Sequence, residues 1–403
     1  MKTKFYLVVF SCFLILATPA CRKHSKEEII NPPEAGKELF VSAASAGSYT
    51  KLELQGIAVI KGFANYAPLI QYDVDFFKLI YKTTYNGNVI EASGLLGIPK
   101  NTPGTPALLS AQHGTMFSDA DAPSNFPTGF SGFELFASTG FVTVVPDFIG
   151  YGTSKDIVHP YYDMKHSALA VVDLIKAAKY YLKTQNKSIS DKLFLIGYSE
   201  GGYVTMAAQQ EIETNTVHNL TITAAAEGAG GYDITGMLAK VATVPTYVDP
   251  SFLALFIQGY NTTYKYNRPL TDYFNEPYAS AIPQLLDGSK TSDQINSQLP
   301  AAPSLLFNTT FYNNLLNPAA ETIFKAQVAA NSFPMWYPKS PTRMYHGTAD
   351  EDVFFETSQS TYDKFKAEGA TNVTLTPIPN GTHKTSVAPM MLDALPWMKS
   401  LAQ

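Results

Sequence analysis

Leu193-Phe194-Leu195-Ile196-Gly197-Tyr198-Ser199-Glu200-Gly201-Gly202 runs from an apolar segment into a serine among glycines. A short apolar run stops at a glycine, a serine follows, and two more glycines lead into Tyr203-Val204-Thr205-Met206-Ala207-Ala208-Gln209-Gln210, which reads as a helix. Strand, sharp turn and helix with Ser199 at the apex is the G-x-S-x-G form of a nucleophile elbow. The glycines are needed because side chains flanking so sharp a turn would collide. The serine hydroxyl is lifted clear of the sheet at a helix N-terminus, whose unpaired N–H groups and partial positive charge favour a developing oxyanion. A chance Gly-Ser-Gly turn is the plainer alternative.

The neighbouring segments repeat the alternation. Ala107–Ala111, Phe141–Val145, Leu193–Ile196, Ile222–Glu227, Arg343–Tyr345 and Val373–Ile378 read as buried strands. Phe133–Ser138 reads as a short helix, and Asp163–Thr184 as a long one with Ala168, Val171, Val172, Ile175 and Ala178 at helical spacing. Glu356–Ala367 and Val387–Leu401 are the last two helices. Strands alternating with helices imply an α/β fold, a mostly parallel sheet covered on both faces. Before it, Leu52–Val59, Val74–Tyr85 and Val89–Ile98 carry strand character, the last two joined by Asn86-Gly87-Asn88, and are expected to add antiparallel strands. From about Asp233 to Ser340 the alternation stops, and the segment is rich in Tyr, Asn, Pro and Phe. It is too long for a simple loop and is expected to be a mainly helical cap over the active site. A structural subdomain away from the substrate is the alternative.

A serine hydroxyl is a poor nucleophile unaided. A histidine must take its proton, and a carboxylate must hold the imidazole in the right tautomer. His383, in Asn380-Gly381-Thr382-His383-Lys384 after the last strand, is the candidate base. Asp350, in His346-Gly347-Thr348-Ala349-Asp350, is the candidate acid, with Asp352 as the alternative. All three motifs follow strands, where ligands bind on such sheets. Two backbone N–H groups are expected to form the oxyanion hole. One is from Glu200 and the other from Thr115 in His113-Gly114-Thr115-Met116, with Met116 next in line. His113 and His346 read as structural, and His159 and His166 stand before Ser199, outside the expected order. The Glu200 carboxylate reads as a helix-start acid favoured by the dipole; holding a substrate amine or hydroxyl is the sharper alternative. Seven scattered histidines offer no zinc-type spacing and no phosphate-binding glycine loop is present, so neither a metal nor an organic cofactor is expected.

The first twenty residues read as a signal peptide: Lys2 and Lys4, an apolar run from Phe5 to Ala17, then Thr18-Pro19-Ala20-Cys21. Cys12 and Cys21 are the only cysteines, so the body has no internal disulfide and no thiolate metal site. Residues 21–48, with Pro32-Pro33 and the small residues Ser42–Ser48, read as a linker. The remaining organisation is then a first core part over 49–232, the cap over 233–340 and a second core part over 341–403. No later apolar run is long enough to cross a membrane. The net charge of −5 argues against a nucleic-acid partner. The 24 tyrosines and 25 phenylalanines suit an apolar cleft and a filled core equally.

The order Ser199, Asp350, His383 is that of the α/β hydrolases, which the chain resembles from about Val74 to its end. Gln112-His113-Gly114-Thr115, Ala122-Pro123-Ser124, Val145-Pro146-Asp147-Phe148-Ile149-Gly150-Tyr151-Gly152, His159-Pro160-Tyr161 and Gly197–Gly202 together resemble the secretory lipase and esterase families. The resemblance implies hydrolysis of small-molecule carboxylic esters. His346–Val353 is similar to the acid loop of prolyl oligopeptidase and dipeptidyl peptidase enzymes, which favours Asp350 over Asp352 and keeps a serine peptidase of short peptides as the alternative. A third reading is a non-catalytic surface-binding protein on the same scaffold. The N-terminus resembles bacterial lipoprotein signals, which implies a lipid on Cys21 and an envelope anchor; plain secretion is the alternative. Ser25-Lys26-Glu27-Glu28 is similar to the acidic export tags of surface lipoproteins.

Overall fold

The computed structural model describes Met1 and residues 35–403. The expected signal peptide, Cys21, the acidic tag and the first part of the linker lie outside the described residues. Among the described residues nine strands form one sheet: β1 (Phe40–Tyr49), β2 (Val74–Tyr85), β3 (Asn88–Pro99), β4 (Leu108–Gln112), β5 (Val142–Pro146), β6 (Leu193–Tyr198), β7 (Ala224–Gly228), β8 (Thr342–Gly347) and β9 (Val373–Ile378). Their spatial order is β1-β2-β3-β5-β4-β6-β7-β8-β9. β1, β2, β3 and β5 pair antiparallel, and β5 through β9 pair parallel. The helices are α1 (Lys51–Ile60), α2 (Met164–Thr184), α3 (Glu200–Thr214), α4 (Ile234–Val241), α5 (Pro250–Thr263), α6 (Tyr278–Leu285), α7 (Ser292–Asn296), α8 (Pro303–Leu306), α9 (Thr309–Leu315), α10 (Thr322–Ala330), α11 (Phe355–Ala367) and α12 (Val387–Ala402).

Alternate strand residues feed two separate cores, as the two-residue period requires. Leu195, Ala225 and Met344 pack with Val171 of α2, Ala207 of α3 and Phe365 of α11. Phe194, Ile196, Ala224, Ala226 and Tyr345 face the other way, against Leu54 of α1, Phe136 and Met390 of α12. Side chains such as Phe194 are fully buried, and each contributes roughly 1.5–3 kcal/mol relative to exposure. This double covering explains why the central strands read as continuous apolar runs.

Two expectations are overturned. Residues 40–48, read as the end of the linker, belong to β1, which pairs along its length with β2. Edge pairing uses backbone groups, so small residues serve, and Phe40 stacks on Tyr181 of α2 with ring centroids 5.6 Å apart. Leu52–Val59, read as a strand, is α1. Its start is a capping box: the Thr50 hydroxyl accepts from Glu53 N, and Glu53 Oε2 accepts from Thr50 N at 2.7 Å. Leu54 and Ala58, four residues apart, are its buried face.

Between β7 and β8 the chain forms α4 through α10. Asn331, after α10, ties this segment to the rest. Its side chain accepts from Met164 N and donates to the Tyr260 and Tyr264 hydroxyls, while its carbonyl accepts from Tyr203 of α3. Among the described residues no helix is long and apolar enough to cross a membrane.

Candidate active site

Ser199 sits between β6 and α3 with φ 60° and ψ −128°, a backbone region that costs a non-glycine residue about 1–3 kcal/mol. The surroundings hold it there. Its N–H donates to Gly228 O at 2.8 Å. A Cβ on Gly197 would lie 2.1 Å from Gly201 O, and one on Gly201 would lie 2.1 Å from Gln112 O. Both glycines are therefore required by close backbone approach.

Asp350 follows β8, and His383 lies between β9 and α12. His383 Nε2 is 2.8 Å from Ser199 Oγ, and His383 Nδ1 is 2.7 Å from Asp350 Oδ2. Three residues separated by up to 184 positions thus form one hydrogen-bonded line. All three are buried or nearly so: 7% exposed for Ser199, 6% for Asp350 and 9% for His383. Asp350 Oδ1 accepts from the N–H groups of Asp352 and Val353, which fixes the carboxylate plane. Burial alone would raise its pKa, but hydrogen bonds and charge from His346 and His383 hold it down to about 2. The Tyr198 hydroxyl donates to His383 O at 2.7 Å and anchors the loop carrying the imidazole.

Asp352 stays outside this line. Burial pushes its carboxyl up to about 7; His383 pulls it down, and the neighbouring Asp249 carboxyl, at the head of α5, raises it further. Asp350, Asp352 and His383 are the one group of described residues whose ligand atoms, all within 4.8 Å of one another, are spaced for a metal ion. Two of them already bind each other.

Glu200 opens α3, so its backbone N–H has no carbonyl to bond within the helix. Gly114, beside Thr115, borders Ser199: a Cβ there would lie 3.5 Å from Ser199 Cβ. The Thr115 hydroxyl is 2.8 Å from the Tyr161 hydroxyl, and the Met116 carbonyl accepts from Tyr151. An apolar cavity of about 50 Å³ opens nearby. Tyr161 and Tyr162 line it from the core, Val353 from the loop after β8, and Met237, Leu253 and Phe256 from α4 and α5.

Two contacts were not anticipated. His346 is fully buried behind Asp350, with Nε2 2.8 Å from Val353 O and 3.3 Å from Asp350 Oδ2. The Glu200 carboxylate, read as a dipole-stabilised acid, is fully buried and bonded to His159. His159 stands in the quoted His159-Pro160-Tyr161 motif, but its place before Ser199 concealed the link.

A mostly parallel sheet with the Gly197–Gly202 turn near its centre and polar side chains gathered beyond its strand ends is the architecture of an α/β-hydrolase. The chain belongs to the secretory lipase family, whose model matches residues 134–401, and it is a carboxylic ester hydrolase. No curated protein sequence matches it. Among solved structures it is similar to a candidate hydrolase from Legionella pneumophila, at 26% identity and a TM-score of 0.82 over 90% of this chain and 98% of that one. The rice cell wall degrading esterase LipA from Xanthomonas oryzae is 26% identical, with a TM-score of 0.75 over 89% of this chain and 95% of that one. Candida antarctica lipase A in its closed state shares the fold at 20% identity and a TM-score of 0.65, over 91% of this chain and 82% of that one.

Proposed function

We propose that the chain cleaves carboxylic esters by two-step acyl transfer through Ser199, His383 and Asp350. The unbroken line Ser199 Oγ–His383 Nε2–His383 Nδ1–Asp350 Oδ2 carries this reading. His383 removes the Ser199 proton as the oxygen attacks the ester carbonyl. The tetrahedral oxyanion is held by the backbone N–H groups of Glu200 and Thr115. His383 then gives its proton to the leaving alcohol, and the acyl group remains on Ser199. Water, deprotonated by the same imidazole, attacks the acyl-enzyme and releases the acid. Asp350 keeps the tautomer and balances the imidazolium.

The segment 233–340 acts as the cap, and the apolar cavity under α4 and α5 takes the acyl chain; its contact with both the Thr115 side and the acid loop supports this. The chain is exported and anchored through a lipid on Cys21. Labelling with a fatty-acid analogue that is lost in Cys21→Ser tests the anchor.

Hydrolysis of p-nitrophenyl esters from acetate to palmitate by residues 22–403, beside Ser199→Ala, tests the mechanism. Turnover that vanishes in Ser199→Ala is expected, and mass spectrometry of a slow substrate should place the acyl group on Ser199. Undiminished turnover by Ser199→Ala would refute the assignment.

A further inference from the structure

The residue after the nucleophile carries a carboxylate that the steps above leave idle. Glu200 Oε1 lies 2.6 Å from His159 Nε2, and His159 Nδ1 lies 2.6 Å from Ile149 O. Glu200 Oε2 is buried with no hydrogen-bond partner among the described residues. A carbonyl oxygen only accepts, so Nδ1 carries a proton. An ionised carboxylate also only accepts, so a contact this short is attractive when Nε2 carries a proton as well. A ring protonated on both nitrogens is an imidazolium, and with Glu200 it makes a unit of zero net charge.

The place of this unit matters. The backbone N–H of the same Glu200 is the donor assigned above to the oxyanion. A carboxylate left uncancelled there would face the developing negative oxygen from within a water-poor site, where screening is weak. The surrounding titratable groups do not cancel it. His113 bonds Gly114 O through Nδ1, and burial lowers its pKa, which keeps the ring neutral. The hydroxyls of Tyr151 and Tyr161 are engaged by Met116 O and Thr115. Among the described residues, His159 alone can supply a positive charge in contact with the carboxylate. Burial works against that charge, but the attraction and hydrogen bond of Glu200 outweigh it and raise the pKa of the ring. The backbone is built to bring the ring in: Gly150, at φ +99°, lets His159 approach so closely that a Cβ there would lie 2.6 Å from His159 Cα.

We propose that His159 is a positioning residue for ester hydrolysis, a buried imidazolium that holds the Glu200 side chain and neutralises its charge beside the oxyanion site. This rests on the Ser199 reading given under Proposed function. No bond is made or broken by the pair; it acts through Glu200 on the oxygen that becomes negative.

Steady-state kinetics on p-nitrophenyl butyrate with His159→Gln, His159→Gln/Glu200→Gln and Ser199→Ala test it. His159→Gln should lower kcat by about tenfold or more with KM within about threefold, because the loss falls on the transition state. Removing the stranded charge in the double variant should restore most of the lost kcat. A purely structural role would give a double variant no better than the single one, and that result, or an unchanged kcat in His159→Gln, overturns the proposal. Turnover surviving in Ser199→Ala would instead remove the reading beneath it, and the proposal with it. Should His159→Gln fail to fold, nitrogen NMR of the histidine-labelled wild type decides: two protonated ring nitrogens on His159 at neutral pH are expected, and a singly protonated ring overturns it.

Discussion

Asp350 and Asp352 are two residues apart, both buried, and differ in what they touch. Asp350 receives two backbone N–H groups and His383 Nδ1; Asp352 faces Asp249. The assigned roles therefore predict unequal variants. Asp350→Asn should lower kcat/KM by roughly 10³–10⁴-fold, as loss of the orienting carboxylate does in such triads, while Asp352→Asn should stay within about tenfold. Steady-state ester hydrolysis by the two purified variants distinguishes them. The pKa shifts also have opposite signs in stability. Asp350 is lowered to about 2, so its contribution is present above the ordinary carboxylate range, near pH 4, and is lost as pH falls towards 2. Asp352 is raised to about 7, so the folded state holds a proton that the unfolded chain releases near pH 4. Its contribution is lost as pH rises from about 4 through about 7. Thermal unfolding between pH 4 and 9 should show a decline in the wild type that is shallower in Asp352→Asn.

Among the elements, α1 and β1 show how local signals compete. Thr50-x-x-Glu53 is a helix-start signature, and Leu54 and Ala58 are at helical spacing, yet the apolar content of Leu52–Val59 suggested a strand. The cap geometry settles it, and Thr50→Ala should cost about 1 kcal/mol by chemical denaturation. For β1, the small and polar side chains of Phe40–Tyr49 contain no strand pattern, because an edge strand is held by its backbone partner β2, which is distant in sequence. By contrast, the limits of β2, β3, α2, β9 and α12 were legible to within about two residues, since apolar periodicity is written within each element.

The whole molecule joins the 233–340 segment to the loop of Asp350 and Asp352. The Tyr247 hydroxyl donates to Asp352 O at 2.6 Å across 105 residues. Tyr247→Phe leaves that buried carbonyl without its donor and should destabilise the protein by about 1–3 kcal/mol, read as a lower unfolding midpoint. If the cavity between α4, α5 and Tyr161 takes the acyl chain, Met237→Trp should fill it and shift the preference among p-nitrophenyl esters towards acetate. An unchanged chain-length profile would place the acyl group elsewhere.

What the sequence determined by itself was the local chemistry. The turn Gly197–Gly202, the strand ends carrying His113, Asp350 and His383, and the alternation behind an α/β sheet are all short-range, because a sharp turn or a strand period constrains residues that are neighbours in the chain. The chain order of Ser199, Asp350 and His383 extended that reading to a site through family resemblance. The contacts between loops come from tertiary packing: His159 on Glu200 across 41 positions, His346 behind Asp350, Asp249 against Asp352, and Asn331 as the tie of the long insertion. Such contacts depend on where separate segments come to rest on the sheet. The polar side chains that make them look, in sequence, like any other cap, turn or solvated residue until burial forces each to find a partner.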